Sequence, residues 1–223
     1  MVDNSSEVIL NVLRKTYGAP KRIFTHEDPF QTLIMTIISQ NTSAGNAAKA
    51  YAKLSNKFKI TPEALGKGNI RQIEECLRVG GLYRNKAKTI KNVARTIFDR
   101  YEGKISQLLD LSLEQARKQL MQFQGVGPKT ADVVLLFSAG KRVIPVDTHV
   151  NRVSKRLGFT PVKGKYEEVR KNLEALYNSE NYAAVHLLLI LHGRRCCKAR
   201  NPLCKECQIS IYCPSKSLWD RND

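Results

Sequence analysis

Apolar positions recur with a helical period along most of the chain. Asp28-Pro29 sets a cap and a proline at a helix start, and Leu33, Ile34, Ile37 and Ile38 follow as a buried face. Thr61-Pro62-Glu63 opens a short helix, and Asn69 caps another that ends near Gly80-Gly81. Residues 85–100 read as a long amphipathic helix, with Ile90, Val93, Ile97 and Phe98 inward and lysines on the other side. Ser112 caps a helix carrying Leu113, Ala116 and Leu120. Further helices are predicted over residues 129–139, 147–157, 166–177 and 182–191, and only residues 142–146 read as extended. There is no internal repeat and no low-complexity run. The expected fold class is all-α with short loops.

After Gly193 the periodicity stops, and cysteines, prolines and basic residues dominate up to Pro214. So few apolar residues cannot hold a segment together by burial, so something else must organise it. The cysteines supply a candidate: Cys197, Cys204, Cys207 and Cys213 are spaced x6, x2 and x5. The Cys-x2-Cys core puts two thiolates on one turn, and the long arms let the chain wrap a metal centre. Four thiolates suit tetrahedral zinc or a four-iron cluster. The single knuckle favours the cluster, because zinc sites more often use two close pairs. Cys196 lies outside the spacing and Cys76 on an apolar helix face, so both read as bystanders. Lys198 and Arg200 sit on the loop between the first two ligands, where they are either phosphate contacts or a solvated charge run.

Charge narrows the class of partner. Lys and Arg total 37 against 20 Asp and Glu, a formal net charge of +17. On a chain with 42% hydrophobic residues that charge sits on a folded body, whose expected partner is a polyanion, nucleic acid ahead of a membrane surface. No apolar run is long enough to span a bilayer, and the stretch around His186–Leu191 reads as a buried helix. No signal peptide is visible, so an intracellular, reducing setting is expected, cytoplasmic and nucleoid-associated in a prokaryote.

A second motif is Gly125-Val126-Gly127-Pro128-Lys129-Thr130-Ala131, which joins two helices. Glycines permit close backbone approach, and N–H groups at a helix start attract an anion. The turn is therefore either a helix–hairpin–helix grip on a DNA phosphate or a plain corner. Lys129 stands in the first turn of the second helix, where the dipole disfavours a cation and so favours a neutral, nucleophilic amine. Asp147, in Val146-Asp147-Thr148-His149, either caps the next helix or serves as a catalytic carboxylate.

These three motifs, in this order, resemble the endonuclease III branch of the helix–hairpin–helix DNA glycosylases, over residues 28–214. The resemblance implies two all-α lobes with a DNA cleft between them. One is a six-helix barrel carrying the hairpin, residues 25–135; the other is a discontinuous iron–sulfur lobe of residues 1–24 and 136–223. It implies a [4Fe-4S] cluster on the four cysteines. It also implies a monomer acting on double-stranded DNA that contains a damaged base or abasic site, with the damaged base flipped out. Lys129 would attack C1′, Asp147 would assist, and β-elimination would cut the strand, the target being an oxidised pyrimidine. Gly125, Gly127 and Thr130 would hold the backbone. Gln40 or Asn41, in Ile38-Ser39-Gln40-Asn41-Thr42, would fill the hole left by the base, an ungapped reading favouring Asn41. Leu82, in Gly81-Leu82-Tyr83, would wedge the opposite strand; without the resemblance it reads as a core contact.

Some positions depart from the family pattern. Gln124 and Phe123 replace a proline and a leucine before the glycine turn, and Ser43-Ala44-Gly45 lacks the acid often found after the polar loop. These bear on lesion choice and loop geometry. Alternative readings are a mismatch-directed adenine or thymine glycosylase of the same superfamily, which would lack a lysine at position 129, and a non-catalytic DNA-binding module.

Overall fold

Short polar side chains cap the starts of several helices. In a computed structural model, which describes residues 5–18 and 28–218, the α-helices are α1 (Ser5–Tyr17), α2 (Pro29–Ser39), α3 (Ala44–Lys57), α4 (Pro62–Lys67), α5 (Ile70–Leu77), α6 (Tyr83–Tyr101), α7 (Ser106–Leu109), α8 (Leu113–Met121), α9 (Pro128–Ala139), α10 (Thr148–Arg156), α11 (Tyr166–Leu176) and α12 (Tyr182–Arg195). Among the described residues there is no β-strand, and no helix is long and apolar enough to cross a membrane. Side chains of Asp28, Ser43, Thr61, Asn69 and Asp147 accept N–H groups in the first turns of α2, α3, α4, α5 and α10.

The chain divides into two compact units, Met1–Ile23 with Arg142–Asp223, and Phe24–Lys141. The boundary expected at 24/25 lies among residues 19–27, outside the described residues. In the second of these units α2 packs on α9, α4 on α6 and α3 on α5. Gly66 lets α4 approach: a Cβ there would stand 3.1 Å from the Arg95 backbone of α6. In the other unit α12 packs on α1 and α10. A Cβ on Gly193 would stand 2.9 Å from the Cβ of His149, so that crossing also needs a glycine.

The all-α class holds, and two local expectations need correction. Helix α3 was not anticipated; its buried positions are Ala47, Ala50 and Leu54, too small and sparse to register as an apolar stripe. The lysines of α6 are not all on a solvent side. Lys86 is buried, its Nζ donating to Ile38 O and Gly80 O. Lys91 donates to Gly66 O and Gly68 O. Carbonyls left over where α2, α4 and the 3-10 turn Arg78–Gly80 end attract these ammonium groups.

Candidate active site and metal centre

The glycine turn joins α8 to α9. Gly125 has φ +84°, and a Cβ there would stand 2.6 Å from Thr89 Oγ1, so the position needs glycine on both counts. Val126 is buried and its N–H donates to Phe123 O at 2.9 Å. Gly127 caps α9, its carbonyl accepting from both Thr130 N–H and Ala131 N–H at 3.0 Å. The polar loop is fastened to this turn: Gln40 Nε2 donates to Gly125 O and to Thr130 Oγ1, both at 3.1 Å. Gln40 is thereby committed within the protein. Asn41, the next residue, has φ +51° and is exposed. Leu82 also has left-handed backbone, at φ +48°, and its side chain is 58% exposed, which is not a core contact.

Lys129 stands at the second position of α9, half-exposed, with no acidic residue in that first turn. Asp147 belongs to the other unit and is the cap of α10: Oδ1 accepts from His149 N–H at 2.9 Å and Val150 N–H at 2.8 Å. The capping role is real and occupies one oxygen; Oδ2 makes no hydrogen bond among the described residues. The extended approach to Asp147 is pinned at successive residues. Ile144 N–H donates to Glu174 Oε1 at 3.0 Å, Val146 N–H to the Tyr166 hydroxyl at 3.2 Å, and buried His186 Nδ1 meets Pro145 O at 2.8 Å.

Cys197, Cys204, Cys207 and Cys213 line one cavity, walled by apolar Val153, Leu157 and Ile209. All four are free thiols. Soft thiol donors converging on an apolar-walled space fit a thiophilic metal centre. Two arginines of α10, which the sequence reading missed, build its rim. Arg156 donates to Lys198 O at 2.7 Å, Ala199 O at 3.1 Å and Cys197 Sγ at 3.4 Å. Arg152 donates to Cys197 O at 3.1 Å and Gly193 O at 2.8 Å. Their only sequence signal is an i,i+4 pair of arginines on the helix after Asp147. They fix the loop on which Lys198 and Arg200 are exposed.

Cys196 is closer to this centre than its spacing implied. Its thiol lines the same cavity, and His192, Cys196 and Cys207 bring ligand atoms within 4.8 Å of one another. The hydrogen bond from Cys196 holds the Cys207 thiol down at about 4, with His192 adding to the effect against burial. Cys196 is raised in consequence.

Hairpin, lysine, capping aspartate and thiol cavity are the parts of a base-excision enzyme, and comparison with known proteins gives the same class. The sequence model described as HhH-GPD superfamily base excision DNA repair protein matches residues 34–179. Endonuclease III of Sulfolobus acidocaldarius is 39% identical over 185 residues, 82% of this chain and 81% of that protein. Endonuclease III of Thermotoga maritima is 34% identical over 186 residues, 83% of each. A structure of a trapped endonuclease III–DNA covalent intermediate superposes with TM-score 0.86 at 32% identity, covering 98% of this chain and 99% of that one. The chain belongs to the endonuclease III family. It is a DNA-binding enzyme of base excision repair, a DNA glycosylase and AP lyase.

Proposed function

We propose that this enzyme removes oxidised pyrimidines from double-stranded DNA and then cuts the strand at the abasic site, working as an intracellular monomer. The observation that carries the reading is the placement of Lys129, an amine at the second position of α9 directly behind the Gly125–Gly127 turn. The positive end of the helix dipole favours the neutral amine needed for attack.

The neutral Nζ attacks C1′ of the extruded nucleotide, and the C1′–N bond breaks with its electron pair leaving on the base. Loss of a proton from Nζ and opening of the sugar give an imine between Lys129 and C1′. Removal of a C2′ proton expels the 3′ phosphate by β-elimination, and water then releases the lysine. Asp147 assists by stabilising the positive charge that develops on the sugar or by taking the amine proton, while Oδ1 keeps the cap. Gly125, Gly127 and Thr130 hold a backbone phosphate at the α9 start, and Lys198 and Arg200 hold another. Asn41 enters the gap left by the base, Leu82 wedges the opposite strand, and Gln40 braces the first of these loops from below.

Cys197, Cys204, Cys207 and Cys213 would hold a [4Fe-4S] cluster, whose contribution is to clasp the segment after α12 to α10. The same proposal takes the six-helix barrel expected over residues 25–135 and the cluster domain expected over 1–24 with 136–223, with the second boundary set after α9, where the two units divide at Lys141/Arg142, rather than inside that helix. Borohydride reduction on a thymine-glycol duplex tests it: wild type should trap covalently and Lys129→Ala should not. Equal trapping by the two would remove Lys129 from the reaction. Trapping on abasic DNA alone would leave the lyase and overturn the oxidised-pyrimidine assignment.

A further inference from the structure

A lysine ammonium is an expensive group to bury, and Lys86 of α6 is 4% exposed. Burial pulls its pKa below the ordinary lysine value, and no carboxylate compensates. Its partners are two main-chain carbonyls from different elements: Ile38 O at 2.8 Å, in the last turn of α2, and Gly80 O at 2.9 Å, the end of the 3-10 turn Arg78–Gly80. Both are carbonyls at the ends of helical segments, where intrahelical donors run out, which makes them available acceptors for an ammonium. A Cβ on Gly80 would stand 3.8 Å from Nζ and 3.6 Å from the Ala50 Cβ, so the carbonyl it carries is closely framed.

Each carbonyl is followed within three residues by a non-glycine residue in left-handed backbone, Asn41 at φ +51° after Ile38 and Leu82 at φ +48° after Gly80. Asn tolerates that conformation, whereas Leu holds it only where its surroundings impose it. Asn41 and Leu82 are also exposed tips. One buried cation therefore ties the roots of two exposed left-handed turns to a single point on α6.

We propose that Lys86 is a positioning residue that couples the Asn41 turn to the Leu82 turn, so that the two side chains enter the duplex as one unit. This rests on the reading above that both residues contact DNA. A simple packing role does not need a charge; an unbranched apolar side chain of the same length would fill the space. What the ammonium adds is a fixed register between two carbonyls that no direct hydrogen bond joins.

The test uses the holoenzyme and a duplex with 2-aminopurine opposite a tetrahydrofuran abasic-site analogue, so lesion preference does not enter. Stopped-flow fluorescence reads displacement of the estranged base. Asn41→Ala and Leu82→Ala should each slow displacement by about tenfold, and the double variant should be no slower than the worse single, because a coupled unit fails as one. Lys86→Met should slow displacement to a similar degree. Its borohydride trapping on a single-stranded abasic oligonucleotide, where no base is displaced, should fall less than about threefold. Adding Leu82→Ala to Lys86→Met should cost little more.

Multiplicative losses in the Asn41/Leu82 double variant would overturn the coupling, and that result stands even if Lys86→Met fails to fold. A folded Lys86→Met protein with wild-type displacement would overturn it as well. If neither Asn41→Ala nor Leu82→Ala changes displacement, the DNA-contact reading is what fails, and the coupling falls with it.

Discussion

Arg117 of α8 grips Asp132 of α9, with Nε donating to Oδ1 at 2.6 Å and Nη2 to Oδ2 at 3.2 Å. Asp132 is fully buried and Arg117 nearly so. The pair bolts together the two helices that flank the Gly125 turn. Breaking a buried charge pair is costly even though Glu114 also lies 3.7 Å from Arg117, so Arg117→Met or Asp132→Leu alone should lower unfolding free energy by about 3–5 kcal/mol. The double variant should recover most of that loss. Urea denaturation of the three variants decides it, and a single variant as stable as wild type would show that the pair does not brace the hairpin.

Gly125 makes a separate demand. Alanine there meets both the cost of φ +84° and a Cβ 2.6 Å from Thr89 Oγ1. Gly125→Ala should cost about 1–3 kcal/mol of stability and weaken binding to an abasic-analogue duplex. Trimming the obstacle with Thr89→Ala should return part of the stability, because the contact is relieved and the backbone strain remains. Full recovery would mean that the turn tolerates a side chain and that only packing against α6 excludes it.

The sequence carried the pieces of the site whose chemistry depends on residue type and spacing. Thiols at fixed intervals, glycines flanking a buried valine and a capping aspartate before a helix are all local signals. The starts of α2, α4, α5 and α10 were legible because a side chain supplies the cap. Helix α3 escaped because its buried face is two alanines and a leucine. Lys86 was assigned to a polar face, since nothing local announces that the carbonyls of Ile38 and Gly80 converge on it. Arg152 and Arg156 escaped for the same reason: their acceptors lie more than 40 residues further on. Long-range satisfaction of carbonyls is a property of the fold, not of any window of sequence.

Arg156 gives a direct test of the thiol centre's rim. Its guanidinium holds Lys198 O, Ala199 O and Cys197 Sγ, three points of the loop that begins the cysteine cluster. Arg156→Ala should leave the fold in place and loosen that loop. The visible absorbance at about 400 nm expected of an iron–sulfur cluster should then bleach faster under an iron chelator than in wild type. Salt dependence of DNA binding should flatten slightly as the Lys198–Arg200 loop loses its fixed position. Unchanged bleaching would assign the arginine to surface charge alone.

His149 links acid to the same loop. Burial lowers its pKa below the ordinary value of 6.5; Asp147 pulls the other way, and the Arg152 and Arg194 cations add to the lowering. The geometry agrees with the direction, since Arg152 Nη2 lies 3.1 Å from His149 Nδ1 and can only donate, so that nitrogen is an acceptor in the native state. A base whose folded pKa is depressed contributes stability that is present above its unfolded value and is lost as pH falls through the folded value. Stability from this ring is therefore intact above 6.5 and declines below it, as the unfolded chain takes a proton that the folded ring refuses. Protonation of Nδ1 would also set an imidazolium against Arg152, which holds Cys197 O and Gly193 O. His149→Asn keeps an acceptor near the Nδ1 position and cannot titrate. Unfolding free energy measured from about pH 7.5 to about pH 5 should fall less steeply in His149→Asn than in wild type, with the difference opening only below 6.5. Parallel profiles would place the acid sensitivity elsewhere.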